Sequence, residues 1–325
     1  MHVLIIGAAG MIGHRLAARL GAQPVLGGES VTRMTLVDMV APNAPDAAMP
    51  CETVAGSIED AEIRRRILAG RPEVIFQLAA VVSGAAEADF DLGWRVNVAA
   101  VQALCEDIRR IGYSPRLITT SSVAVFGGDL PDPVPDTHHL SPQSSYGAQK
   151  AVGELILADF TRKGFIDGRT VRLPTIVVRP GAPNAAASSF VSGIIREPLK
   201  GERAKLPVAR DSRVWIASPD LAVASLIHAA TLAPKALGAA AVVTARGLTV
   251  SVQQIIDALA FAAGPEVAAL IDDEPDPAVA AIVGSWPQGF DSGLAVALGF
   301  PTDDSIEQII ARHIAEHHPH LAQAE

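Results

Sequence analysis

Three glycines in the segment Gly7-Ala8-Ala9-Gly10-Met11-Ile12-Gly13 constrain this chain more than any other feature. They follow a short apolar run, His2–Ile6, and open a stretch with helical spacing, Met11–Leu20. Glycine lets the backbone turn tightly and approach a pyrophosphate closely. The helix that begins there offers unpaired N–H groups and the positive end of its dipole, and the last glycine permits close helix–strand packing. A triplet alone is weak in a chain with 27 glycines; its place between a strand and a helix gives it weight. The run before it carries no basic segment and meets glycine within a few residues, so it reads as a strand and not a signal peptide.

Strand-like and helix-like runs then alternate. Met34–Val37, Thr53–Ala55, Val74–Phe76, Arg116–Thr119 and Thr170–Leu173 are apolar enough for buried strands. Ile58–Leu68, the series Val98, Val101, Leu104, Ile108 and Ile111, and Tyr146–Phe160 have helical periodicity. The alternation predicts an α/β fold: a Rossmann-type, doubly wound parallel sheet with right-handed crossovers. Gly21–Ser30 reads as an inserted loop. After Pro180 the rhythm changes, with prolines at 180, 183, 198, 207 and 219. Pro219–Leu232 reads as a helix and Ala241–Thr244 as a strand rejoining the main sheet. Ser251–Gln254 is a capping-box start. Asp272–Pro277 reads as an acidic loop, and the last helix spans about Ser305–His318. The division expected is a dinucleotide-binding domain over 1–180 plus about 219–248. A smaller, interleaved C-terminal substrate lobe takes about 181–218 and 249–325.

Composition narrows the function classes. Hydrophobic residues make up 49% of the chain, enough for a sizeable core. A net charge of −9 argues against a nucleic-acid partner. The longest apolar stretch, Leu221–Ala245, is broken by His228, Pro234 and Lys235, so no membrane partner is expected. Cys51 and Cys105 show no metal or redox spacing and read as two buried thiols in a reducing, cytoplasmic setting. His313, His317, His318 and His320 read as a solvated helix end, and no metal is expected. His138 and His139 lie in a proline-rich loop that covers the cleft.

Chemistry-bearing residues fall at the predicted strand ends. Asp38 closes the second strand, 25 residues after Gly13. Its carboxylate can accept both ribose hydroxyls and would repel a 2′-phosphate, favouring NAD over NADP. Tyr146 and Lys150 lie one helical turn apart. A phenol titrates near about 10, so it needs neighbouring positive charge to act as a base at neutral pH. The Lys150 ammonium and a nicotinamide ring would supply it. The phenolate could then take a proton from a substrate hydroxyl as hydride leaves the carbon. Ser122 ends the fifth strand, where ligands sit in an open α/β sheet, and could hydrogen-bond the reacting oxygen.

Together these motifs resemble the extended short-chain dehydrogenase/reductases, the NAD-dependent epimerase/dehydratase group. The likeness spans nearly the whole chain. It rests on the glycine loop, Asp38, Leu78-Ala79-Ala80, Asn97, Ser122–Gly127, Tyr146-x-x-x-Lys150, Arg172–Pro174 and Arg179–Gly181. The resemblance implies that Tyr146 is the catalytic base or acid, that Lys150 binds the nicotinamide ribose and lowers the Tyr146 pKa, and that Ser122 positions the substrate oxygen. It implies cofactor contacts at Gly7, Gly10, Met11, Ile12, Gly13, Asp38, Ser57, Ile58, Leu78, Ala79, Ala80, Asn97, Tyr146, Lys150, Pro174, Thr175 and Ile176. It also implies a homodimer formed through the Asn97 and Tyr146 helices. Two departures stand out. Gly56-Ser57-Ile58 replaces the usual Gly-Asp run at adenine, and Val123-Ala124 replaces the acids that sugar dehydratases place after the active-site hydroxyl, which argues against a dehydratase.

Within the family, the runs Arg172–Phe190 and Arg213–Pro219 are similar to members that oxidise the 2-hydroxyl of a four-carbon sugar acid with NAD, giving the 2-oxo acid. A buried substrate carboxylate needs a charged or multiply donating partner. Arg179, Arg196 and Arg213 are the candidates, with Arg213 leading, and Ser83, Ser122, Tyr146, Ser188 and Ser189 complete the pocket. Two other readings stay open: a nucleotide-sugar 4-epimerase using the same Tyr146, Ser122 and cofactor, and a non-catalytic nucleotide sensor, which the intact Tyr146–Lys150 pair argues against.

Overall fold

A computed structural model describes residues 1–181 and 188–321. Residues 182–187, which include Pro183 and Asn184 of the Arg172–Phe190 run, and 322–325 lie outside the described residues.

Seven strands form one sheet: β1 (His2–Ile6), β2 (Arg33–Asp38), β3 (Cys51–Ala55), β4 (Val74–Gln77), β5 (Arg116–Ser122), β6 (Asp167–Leu173) and β7 (Val242–Thr244). Their spatial order is β7-β6-β5-β4-β1-β2-β3. Every pairing is parallel. The chain winds outward from β1 in both directions, so strand order reverses between β1 and β4. A crevice opens there at the carboxyl ends.

Strand β1 is buried at every residue because helices cover both faces. Val3 and Ile5 pack with Leu16 and Leu20 of helix α1 (Met11–Ala22) and with Leu226 and Ala229 of the helix Pro219–Thr231. Leu4 and Ile6 face the other way. They join Leu104 and Ile108 of helix α2 (Ala100–Ile111) and Leu157 of helix α3 (Ser145–Arg162). This is the doubly wound α/β arrangement expected from the sequence.

A separate core lies beyond the carboxyl ends. It gathers Val191, Ile194 and Ile195 with Ile255, Leu259 and Ile310 from three helices. A three-stranded sheet, Thr175–Ile176, Arg213–Ala217 and Leu248–Ser251, connects it to the end of β6. Two polar ties fasten the two cores. Asp303 accepts from the backbone N–H and hydroxyl of Ser218, both at 2.7 Å and buried. Arg15 of α1 pairs with both Asp220 and Glu316.

Three local readings are corrected, and one helix is refined. Gly21–Ser30 is no loose insertion: α1 runs to Ala22, and a small hairpin pairs Val25–Leu26 with Glu29–Ser30 around Gly27 and Gly28, both at positive φ. The acidic segment Asp272–Pro277 begins as a strand, Ile271–Asp273, paired with Ala204–Leu206; Arg203, Arg210 and Lys205 neutralise Asp272, Asp273 and Glu274. The helix before Ile111 opens with a π turn, Arg95–Ala99. Cys51 is only partly buried on edge strand β3, whereas Cys105 is fully buried and its thiol is pushed up to about 12 by that burial.

The glycine loop is tight for a steric reason. A Cβ on Gly13 would stand 2.1 Å from the Gly7 carbonyl oxygen, and one on Gly7, at φ +89°, would stand 2.5 Å from the Ala79 nitrogen. Gly13→Ala forces backbone apart at the centre of the sheet. It should cost about 1–3 kcal/mol of stability, read as a lowered denaturant midpoint.

Candidate functional site

The dinucleotide half of the cleft is built by backbone. Gly7 and Ala8 donate to the Val37 carbonyl, and Leu78 and Ala79 donate to that of Ile6, so the loops after β1 and β4 leave the crevice side by side. Gly10 caps α1 with no side-chain hydrogen bond, and the first turn holds no acid. Its N–H groups and dipole are therefore available to an anion. Asp38 accepts from the N–H groups of Ala9 (2.9 Å) and Met39 (2.7 Å), which fixes the carboxylate beside the glycine loop with lone pairs to spare. The close-packed cradle and the oriented carboxylate fit the dinucleotide that the sequence implies.

Two residues proposed as cofactor contacts also serve the protein's own structure. The Asn97 side chain is buried and engaged, accepting from the Val81 N–H and donating to the Val81 carbonyl and to Gln149 Oε1. It clamps the loop after β4 to α3. Ile58 is buried in the core, and Arg64 holds its carbonyl. Ser57 remains at the surface, bonded to the N–H and carboxylate of Glu59. Thr175 and Ile176 form a short, partly exposed strand after buried Pro174.

The reactive half comes from β5 and α3. Ser144 caps α3 by accepting from the Gly147 N–H, which fixes where the helix starts and hence where Tyr146 stands. Lys150 lies one turn on. Its Nζ is 5.6 Å from the Tyr146 ring centre and donates to the Thr120 carbonyl at 2.9 Å. Ser122 ends β5, where its hydroxyl acts on the Tyr146 phenol and accepts from the Ala124 N–H. The three residues proposed from sequence thus meet at the carboxyl end of the sheet.

Their electrostatics differ from the sequence argument. Burial pushes the Tyr146 phenol up to about 12; Arg179, then the Ser122 hydroxyl, pull against it. Burial pushes Lys150 down to about 8, with the Glu154 carboxylate opposing. The protein's own positive charge on the phenol is therefore chiefly Arg179.

The substrate-side arginines are also reordered. Arg213 stands exposed, pairs with Asp132 at 2.7 Å and borders an open groove of about 570 Å³ with Arg210, Thr249 and Ser251. Ile216, three residues further along the same strand, is the one that pairs with Thr175. Arg213 is therefore about 10 Å down the strand from that point. Arg179 is partly buried. It donates to Ser188 Oγ at 3.2 Å, and no described carboxylate lies within ion-pair distance of it. Buried Arg196 donates to the Arg179 carbonyl and pairs with Glu197. Burial, then Arg196, pushes the Arg179 guanidinium below its ordinary range. Ser83 opens a short helix beyond β4 and is partly buried. Sequence reasoning ranked Arg179 below Arg213 because burial and pairing are not visible in a residue string. Among the described residues no cluster of His, Cys, Asp and Glu could hold a metal, and no helix is long and apolar enough to cross a membrane.

A parallel sheet with a glycine cradle, an acidic strand end and a Ser–Tyr–Lys group defines a nucleotide-cofactor enzyme of the Rossmann type. Residues 3–239 match the model of the NAD dependent epimerase/dehydratase family, and the chain belongs to that family. It is 48% identical over 324 residues to D-erythronate dehydrogenase of Cupriavidus necator, covering 97% of this chain and 98% of the relative. It is 40% identical to D-erythronate dehydrogenase of Haemophilus influenzae, covering 97% and 99%. The crystal structure of the nucleoside-diphosphate-sugar epimerase from Agrobacterium tumefaciens superposes with a TM-score of 0.94 at 44% identity, covering 99% of this chain and 95% of that one.

The chain has two tyrosines, so a Tyr113→Phe background isolates Tyr146. Without ligands its phenolate absorbance should be nearly absent at pH about 10, where a free phenol is half ionised. Adding Arg179→Met should push the titration higher still. A folded protein half ionised at that pH would contradict the assignment of burial as the dominant effect.

Proposed function

We propose that the protein oxidises the 2-hydroxyl of a small sugar acid with NAD, and that the acid is D-erythronate, giving the 2-oxo acid. The observation that carries this reading is Arg179: a partly buried guanidinium acting on Tyr146, without a described carboxylate of its own. A desolvated cation in that position suits an anionic substrate. Two full-length relatives named D-erythronate dehydrogenase support the same choice.

In this reading Arg179 takes the substrate carboxylate, with Ser188 beside it. Ser122 donates to the reacting oxygen. The oxygen of Tyr146 accepts the hydroxyl proton as the C2–H bond gives up its electron pair and C2–O becomes a carbonyl. Lys150 holds the nicotinamide ribose and stabilises the phenolate. Gly7 through Gly13 hold the pyrophosphate, and Asp38 holds the adenosine ribose. Bound NAD supplies the hydride acceptor, and its positive ring adds to Lys150 in favouring the phenolate. The core around Ile194, Ile255 and Ile310 serves as the substrate lobe, over about 181–218 and 249–325, with 1–180 and about 219–248 as the cofactor domain. A homodimer through the Asn97 and Tyr146 helices fits exposed Phe90 and Leu155 on that side of the sheet. Free Cys51 and Cys105 suit the cytoplasm.

The nucleotide-sugar epimerase reading draws on the name of the 44% identical structure. The two differ in cofactor economy, since a dehydrogenase releases NADH at each turnover and an epimerase returns the hydride. Purified protein with NAD and D-erythronate should accumulate NADH continuously by absorbance. Silence with four- to six-carbon sugar acids, together with conversion of a UDP-sugar without added NAD, would overturn the proposal. Tyr146→Phe should lower kcat by on the order of 10²–10⁴ while leaving NAD affinity intact. Arg179→Met should raise KM for the sugar acid by on the order of 10², since it strips the carboxylate of a desolvated charged partner.

A further inference from the structure

Behind Lys150 lies a small polar cavity of about 30 Å³, bounded by Gln77, Asn97, Ser121, Gln149, Lys150 and Glu154. Glu154 stands one helical turn after Lys150 on α3 and is 5% exposed. Arg172 of β6, 6% exposed, grips both of its oxygens, at 2.8 and 2.7 Å. A buried ion pair is a poor source of stability, because desolvating two charges offsets their attraction and an apolar pair of similar volume is often as stable. The proton-transfer chemistry above uses neither residue.

The two ends of this pair reach different parts of the reactive group. The carboxylate end acts on Lys150, and it is the charged group that works to keep that ammonium protonated against burial. The other groups around Lys150 do not replace it. The Thr120 carbonyl is neutral, and Tyr146 presents its ring. Arg179 acts on Tyr146, and Arg172 faces Glu154. The guanidinium end of the pair lies 4.9 Å from the Phe126 ring centre, on the segment that Ser122 begins by capping its short 3₁₀ turn.

We propose that Glu154, held by Arg172, is a positioning residue for the Ser122–Tyr146–Lys150 group. Its buried carboxylate keeps the Lys150 ammonium charged inside the cleft, while Arg172 seats Phe126 and with it the serine turn. The inference rests on the reading of Lys150 as the ammonium that serves Tyr146.

The chain has five lysines, so the ionisation of Lys150 can be followed by itself. The probe is competitive acetylation with acetic anhydride across pH, read by peptide mass spectrometry on the full-length protein without substrate. Wild-type Lys150 should titrate with a midpoint of about 8. In Glu154→Gln the midpoint should fall by about one pH unit or more, the usual effect of losing an opposite charge at close range. The alkaline limb of the kcat/KM profile should fall with it. Glu154→Asp, which keeps the charge, should restore both. Where Glu154→Gln does not fold, the pair Glu154→Gln with Arg172→Met replaces both buried charges and is read in the same way. An unmoved Lys150 midpoint in a folded variant overturns the proposal. So does a Glu154→Asp shift as large as that of Glu154→Gln, or failure of both charge-removing proteins to fold, which assigns the pair to structure alone. The labelling needs no substrate, so the absence of NADH formation by the wild type would sink the substrate reading without touching this one.

Discussion

The close approach of backbone at the switch between β1 and β4 governs the rest of the molecule. Gly7 and Gly13 leave no space for a Cβ, so α1 starts against the end of β1 and the loop after β4 runs alongside. That contact aims unpaired N–H groups into the crevice. It also brings Asp38, at the end of the neighbouring strand, within hydrogen-bond reach of Ala9. A parallel sheet needs a crossover between strands, and right-handed crossovers return every strand's carboxyl end to the same side. Residues far apart in the chain, such as Asp38, Ser122 and Thr175, thereby share one edge.

Polar side chains then tune what the backbone places. Asn97 and Gln149 lock the loop after β4 to the helix that bears Tyr146 and Lys150. Glu154 lies further along the same helix and pairs with Arg172 of β6, and both are removed from water. Burial is the dominant influence at the reactive group: it raises the phenol and lowers the ammonium, both against the charged forms. Compensating charge has to come from fixed neighbours. Arg179 acts on Tyr146, and Glu154 acts on Lys150. In the proposed function one guanidinium, Arg179, serves both the anionic substrate and the phenol.

Much of this was legible in the residue string. Apolar runs bounded by glycine and polar residues located all seven strands of the main sheet, most clearly at β1, which helices cover on both faces and which is therefore buried throughout. Tyr146 and Lys150 were legible because a helix repeats every 3.6 residues, so i and i+4 share a face whatever the tertiary context. Segments ruled by partners distant in sequence were misread. The acidic stretch at Asp272 looks like a loop until Arg203 and Lys205 are seen beside it. The bonds of the Asn97 amide to Val81 and Gln149 are likewise invisible in the residue string.

Periodicity, strand apolarity and the glycine spacing are local properties, so the sequence by itself determined the α/β class, the cofactor cradle and the Ser–Tyr–Lys group. Which arginine faces the reactive tyrosine was decided only by tertiary structure. Arg179 and Arg213 are equivalent as letters, but one is partly buried where its charge acts on Tyr146 and the other is neutralised in water by Asp132, 81 residues away in the chain. Burial and long-range pairing set the energy of a charge, and neither exists until the chain has folded.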